Sequence, residues 1–163
     1  MPLRWKLPLA FTLTTLVFAG IVALAVALLV RGVFLDRLQD DMARQARQYA
    51  ATLSTLPEDP ASTTSAGGLT LQDLTQQVGA AGEVRFTLIS RDGTVLADSD
   101  TDPSGLDNHG DRPEVKQALA GHEGRARRDS ATLGQEVVYV AIPLDAGTAV
   151  WAEGVLRAAV PAS

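Results

Sequence analysis

The stretch that decides the fold is RFTLISRDGTVLAD, residues 85–98. From Glu83 to Ser90 the apolar Val84, Phe86 and Leu88 alternate with Arg85 and Thr87, the two-residue period of a strand with unlike faces. Arg91-Asp92-Gly93 then marks a reversal, because Asp-Gly supplies the positive backbone angles of a tight hairpin, and Thr94 to Asp98 returns as a second strand. Just upstream, Thr70 with Asp73 three positions on reads as a helix N-cap; Leu71, Leu74 and Val78 share a face, and Gly79 or Gly82 ends the helix. Downstream, Ser99 to Asp111 is polar and irregular. Asp111 is the expected cap of a second helix with Pro113 in its first turn, Val115, Ala118 and Leu119 on its inner face and Gly121 at its end. Three further strands are predicted at Gly124–Thr132, Glu136–Leu144 and Thr148–Val160, with turns at Leu133-Gly134-Gln135 and Asp145-Ala146-Gly147. This order predicts an α+β domain over residues 69–161: a five-stranded antiparallel sheet with helices against one face.

Ahead of the domain, residues 57–68 (PEDPASTTSAGG) are rich in Pro, Ser, Thr and Gly and read as a linker. Before it, no Pro or Gly interrupts residues 33–56, and Leu35, Leu38, Met42, Ala46, Tyr49, Leu53 and Leu56 recur at steps of three and four. The spacing predicts a helical stalk over residues 31–56. It allows two uses of the apolar stripe: a parallel dimer seam through Leu35, Leu38, Met42, Tyr49, Leu53 and Leu56, or packing on the chain's own domain. Further upstream, Leu7 to Val30 is a 24-residue run without charge. As a helix it is roughly 36 Å long, against a hydrocarbon layer of about 30 Å. Ala23-Leu24-Ala25 offers a signal-peptide cleavage site, but the apolar run continues to Val30, longer than a signal peptide requires, which favours an uncleaved transmembrane helix over residues 7–30. Basic residues flank it on both sides: Arg4 and Lys6 before, Arg31, Arg37, Arg44 and Arg47 after. Residues 1–6 are expected in the cytoplasm and the domain outside, since long folded domains translocate largely regardless of charge. The lipid bilayer is therefore the first expected partner, with the chain as a single-pass membrane protein.

The 163 residues carry 14 Lys+Arg against 19 Asp+Glu, a formal charge of −5, so there is no basic excess for nucleic acid. With no cysteine there is no disulfide framework, thiolate metal site or cysteine nucleophile. No Gly-rich nucleotide loop of the G-x-x-x-x-G-K-[ST] kind is present, no catalytic constellation is found, and no cofactor is expected. His122-Glu123 lies between Gly121 and Gly124, where a helix ends and a strand begins. Asp98, Asp100 and Asp102 have the alternate spacing of a calcium loop, but Pro103 stands where Gly is needed and His109 where a bidentate Glu belongs, which makes a solvated acidic loop the default reading, ahead of a looser divalent-ion contact. Cations face it in sequence: His109, Arg112, Arg125, Arg127 and Arg128. Strand alternation puts Arg125 and Arg127 on one face and Arg128 on the other. Arginine suits bidentate capture of carboxylate or phosphate. His109, Arg112 and one of Arg125 or Arg127 are thus candidates to border a small-anion pocket; the other reading has these cations pair with the acidic loop.

Several of these segments resemble a known family. Arg85-Phe86-Thr87-Leu88-Ile89 with Asp92-Gly93, Val95-Leu96-Ala97-Asp98-Ser99, Asp107-Asn108-His109, Asp111-Arg112-Pro113-Glu114-Val115, Val138-Tyr139-Val140-Ala141-Ile142-Pro143 and Gly154-Val155-Leu156-Arg157, behind one span and a stalk, resemble the amino-terminal region of bacterial sensor histidine kinases of the phosphate-regulon (PhoR-like) type. The resemblance implies a PAS-like, single-Cache extracytoplasmic sensor domain, the signal-input module of a homodimeric two-component receptor that responds to a small ligand or a partner protein. It raises Arg112 as a ligand contact. In that family a second span, a linker, a phosphoacceptor helix and an ATP-binding domain follow. None lies within residues 1–163, so the alternative is a membrane-anchored binding domain without kinase output.

Overall fold

The structure, a computed structural model, describes residues 3–54, 70–82, 84–130, 135–144 and 153–162. The linker and most of the last two turns expected from the sequence lie outside those residues. The chain forms two compact units, Met1–Leu38 and Gln39–Ser163. Helix α1 (Leu3–Leu53) contributes to both. In the first unit the apolar side chains from Leu9 to Phe34, including Phe11, Leu16, Phe18 and Leu24, are exposed, and this is the one described helix long and apolar enough to cross a membrane.

The second unit is built on a five-stranded sheet of β1 (Arg85–Ser90), β2 (Val95–Asp98), β3 (Gly124–Ser130), β4 (Gln135–Leu144) and β5 (Gly154–Pro161), in the order β2-β1-β5-β4-β3. Every neighbouring pair is antiparallel. The α+β architecture expected from the sequence is the one observed. The hairpin turn is closed by the Gly93 amide donating to Ser90 O at 2.9 Å, with Gly93 at φ 88°. Helix α2 (Leu71–Ala80) starts with the anticipated capping box: Thr70 Oγ1 accepts from the Asp73 amide, and the Asp73 carboxylate accepts from the Thr70 amide at 2.8 Å. Those bonds hold the Asp73 carboxyl below its usual pKa. Helix α3 (Pro113–Leu119) has Pro113 in its first turn, but its N-cap is Arg112, not Asp111. Pro113 takes the first helical position and Arg112 the extended conformation before it, while Asp111 pairs instead with Lys116 at 3.2 Å.

Helices cover both faces of the sheet, not one as expected. Val115 and Ala118 of α3 pack with Ile89, Ala141 and Val155 on one face. On the other, Tyr49 of α1 meets Phe86 with ring centroids 5.4 Å apart, and the Tyr49 hydroxyl bonds Thr75 of α2 at 2.8 Å. Burial of that phenol pushes its pKa up to about 12. The last four turns of α1, from the segment read as a stalk, close this second core. Met42, Ala46, Tyr49 and Leu53, on the stripe considered for a dimer seam, are buried within a single copy. At these positions the stripe packs on its own domain, the second use that the spacing allowed. Leu35 is also buried and Leu38 half-buried, and Leu56 lies outside the described residues.

Candidate functional site

Strand alternation and register place five residues in one row across the whole sheet, on the α3 face: Asp98 opposite Thr87, Thr87 opposite Arg157, Arg157 opposite Ala141, and Ala141 opposite Gly124. The two small residues make room for α3. A Cβ on Gly124 would stand 1.9 Å from the carbonyl oxygen of Glu114, so only glycine lets the start of α3 lie on β3. Glu114 therefore points down at the sheet, fully buried. Its carboxylate accepts from both terminal nitrogens of Arg128, at 3.2 and 3.1 Å, and Arg157 Nη1 stands 3.8 Å away. Both guanidiniums lie against the ring of Tyr139, at 4.1 Å for Arg128 and 5.4 Å for Arg157.

Arg157 is the centre of this arrangement. It is 4% exposed, in the central strand, and donates from Nη2 to Thr87 Oγ1 at 3.1 Å. Burial pulls its pKa down to about 10, against the opposing pull of Glu114. Beyond Thr87, Asp98 is fully buried and accepts from Thr87 Oγ1 at 2.8 Å, from Arg85 Nε at 3.0 Å, and from the amides of Asp100 and Thr101. The first aspartate of the would-be calcium loop is thus a structural anchor for the loop behind it. His109 is buried too; desolvation first, then the nearby Arg157 charge, holds its imidazole below the ordinary 6.5. Two buried polar atoms on this face have no hydrogen-bond partner among the described residues, Arg157 Nε and His109 Nδ1.

Of the candidates named from the sequence, the structure brings His109 and Arg112 to the α3 face, with Arg112 exposed at the start of α3 and close enough to lower the His109 pKa. Arg125 and Arg127 do not join them. They share a face, as alternation required, but it is the α1 face: Arg125 pairs with Asp40 at 2.8 Å and with Glu123, and Arg127 with Glu136 at 3.4 Å. The strand arginines that do reach the site are Arg128 and Arg157. Two signals in the sequence pointed to the missed residues. Arg157 interrupts the otherwise apolar Val155-Leu156-Arg157-Ala158-Ala159-Val160, and a charge inside a buried strand requires a partner. Glu114 lies four residues before Ala118, on the inner side of α3. A surface hollow of about 270 Å³, lined by Thr94, Val95, Pro103, Ser104, Leu106 and Asn108, contains none of these charged groups.

No protein-family model matches the chain and no curated protein does. Among solved structures it is similar to the ligand-binding domain of the Campylobacter jejuni chemoreceptor Tlp3 in complex with 4-methylisoleucine, at 16% identity and a TM-score of 0.51, over 80% of this chain and 52% of that one. It is also similar to the ligand-binding domain of the Pseudomonas aeruginosa amino-acid chemoreceptor PctC in complex with GABA (18% identity, TM-score 0.49, 81% and 54%). A third is the sensor domain of the Vibrio cholerae histidine kinase DctB (23% identity, TM-score 0.43, 55% and 35%). The chain spans about half the length of the two chemoreceptor domains, at 52% and 54%, and 35% of the kinase domain. At these identities the likeness is one of fold: the second unit shares the α+β fold of the Tlp3 domain, built on a five-stranded antiparallel sheet.

Proposed function

We propose that this chain is the signal-input module of a two-component sensor histidine kinase of the phosphate-regulon-like type, held in the inner membrane by residues 7–30 with its α/β domain outside the cytoplasm. The observation that carries the reading is the buried Arg157 with His109 beside it, under α3, on a fold of the sensor kind. A guanidinium buried in a central strand, with one of its nitrogens unpaired among the described residues, is an expensive feature that core packing does not require. It suits a face where a small anionic ligand or a partner protein is received. A stimulus acts by binding one arrangement of α3 and its loop better than another, and only that difference in affinity moves the equilibrium. The homodimer belongs to the same proposal, formed through surfaces other than the buried Met42–Leu53 stripe. Because the chain has no cysteine, a single Arg37→Cys reports on it: cross-linked dimers in membranes are expected, and their absence removes the homodimer.

Topology provides the first test. Alkaline phosphatase fused after Ser163 is expected to be active and β-galactosidase at the same point silent; the reverse pattern overturns the extracytoplasmic placement. The coding sequence beyond Ser163 provides the second. An in-frame second span followed by a phosphoacceptor-histidine helix is the expected result, and a clean stop favours the anchored binding domain without kinase output.

A further inference from the structure

The charges under α3 are unbalanced. Arg128 and Arg157 share one carboxylate, that of Glu114, while Asp98 is engaged by Arg85 and Thr87 at the other end of the row. Glu114 makes with Arg128 the two-pronged contact that a free carboxylate makes with a guanidinium, and has the second guanidinium and the Tyr139 ring beside it. It is delivered by a helix of seven residues that follows an exposed polar loop. The apolar hold of that helix on the sheet is small: Val115, Ala118 and the partly buried Leu119. Arg128, with 28% of its side chain exposed, gives the pair a side open to solvent.

We propose that Arg128, Arg157 and Tyr139 form a carboxylate-binding cradle whose resident occupant is Glu114 of the same chain, so that α3 is held on the sheet by a tethered ligand. An incoming carboxylate enters the cradle by exchanging with Glu114 and thereby frees the first turn of α3. The unpaired Arg157 Nε and His109 Nδ1 offer the newcomer contacts that Glu114 does not use. Tethering explains why two guanidiniums coexist on one small patch of sheet: the local concentration of a carboxylate fixed to α3 is far above that of any free one.

Chemical rescue tests this on the full chain in lipid nanodiscs, with sodium formate and sodium acetate as probes and sodium chloride at matched ionic strength as control. Glu114→Ala is expected to lower the melting temperature, and formate or acetate to restore at least half of that loss in a saturable way that chloride does not reproduce. Wild type, with its cradle filled, is expected to show no such saturable rise. A cooperatively melting Glu114→Ala variant indifferent to both carboxylates, or a wild type that responds as strongly, overturns the proposal. If Glu114→Ala does not fold, a double-mutant cycle decides. Glu114→Gln and Arg128→Met together are expected to lose no more than the worse single variant, and additive losses overturn the tether. The bearing of the exchange on signalling rests on the function proposed above, and the two fail separately. Absence of rescue removes the tethered ligand and leaves the topology result standing, whereas a cytoplasmic Ser163 removes the sensor reading and leaves rescue intact.

Discussion

The two faces of the sheet are held by different physics. Towards α1, Phe86, Leu88, Val138, Val140, Ile142, Leu156 and Ala158 form a continuous apolar surface, each at most 5% exposed. Towards α3, an apolar patch of Ile89, Ala141 and Val155 gives way to Thr87, Arg85, Arg157, Tyr139 and Arg128. The first face gains stability from area and tolerates imprecision; the second depends on a few pairs whose members are each costly without the other. On that second face the contacts of Glu114 with Arg128 and Arg157 are of the kind a free carboxylate also makes. Area and pairing thus hold opposite sides of the same strands.

Cavity formation on the apolar face is the strongest way to break this contrast. Leu156→Ala is expected to destabilise by about 3 kcal/mol, since Leu156 is fully buried in the central strand; urea or thermal unfolding of the full chain in nanodiscs measures it. Gly124→Ala comes next on the opposite face. Its methyl meets the Glu114 backbone and must push α3 off β3, at about 2 kcal/mol, with Arg128 released from Glu114 in the same step. If Gly124→Ala proves harmless, α3 is not pressed on the sheet and the contrast of the two faces fails.

A smaller effect has a sign rather than a size. His109 is lower in pKa when folded than its ordinary 6.5, so the unfolded chain takes up the proton first. Its contribution is complete above pH 6.5 and is lost as the pH falls below that value towards the folded pKa. Melting temperatures of wild type are expected to drop across that acid window, and His109→Gln to flatten the drop; an unchanged slope would show that other groups carry it. The smallest effect belongs to one of the strand arginines named from the sequence. Arg125→Ala, which removes partly exposed pairs with Asp40 and Glu123, is expected to change stability by about 0.5 kcal/mol and to lose even that at high salt.

Most of the fold was legible because its signals are local. Alternation in residues 84–90, the Asp92-Gly93 turn and the Thr70–Asp73 capping box are each fixed by neighbours within a few positions, and they appear where the sequence puts them. The use of α1 was not legible, since a stripe of Met42, Tyr49 and Leu53 looks the same whether its partner is a second helix or the chain's own sheet. The site was half legible. His109 and Arg112 sit in a loop whose composition marks it, but the choice between Arg125, Arg127, Arg128 and Arg157 depends on which face each strand turns to α3. That is a property of pairing across strands that are distant in sequence.

The row from Asp98 to Gly124 has one more consequence, for the assembly of the sheet. Strand β5 is buried on both sides from Gly154 to Ala159, so its apolar residues would fit almost equally well if the strand slid by one position. Arg157 would not. A one-residue slip would turn its guanidinium against Phe86 and Leu88, among side chains that offer it no acceptor. Arg157 therefore specifies the alignment of the central strand, and a nascent sheet paired out of step carries a buried, unpartnered charge that drives it apart again.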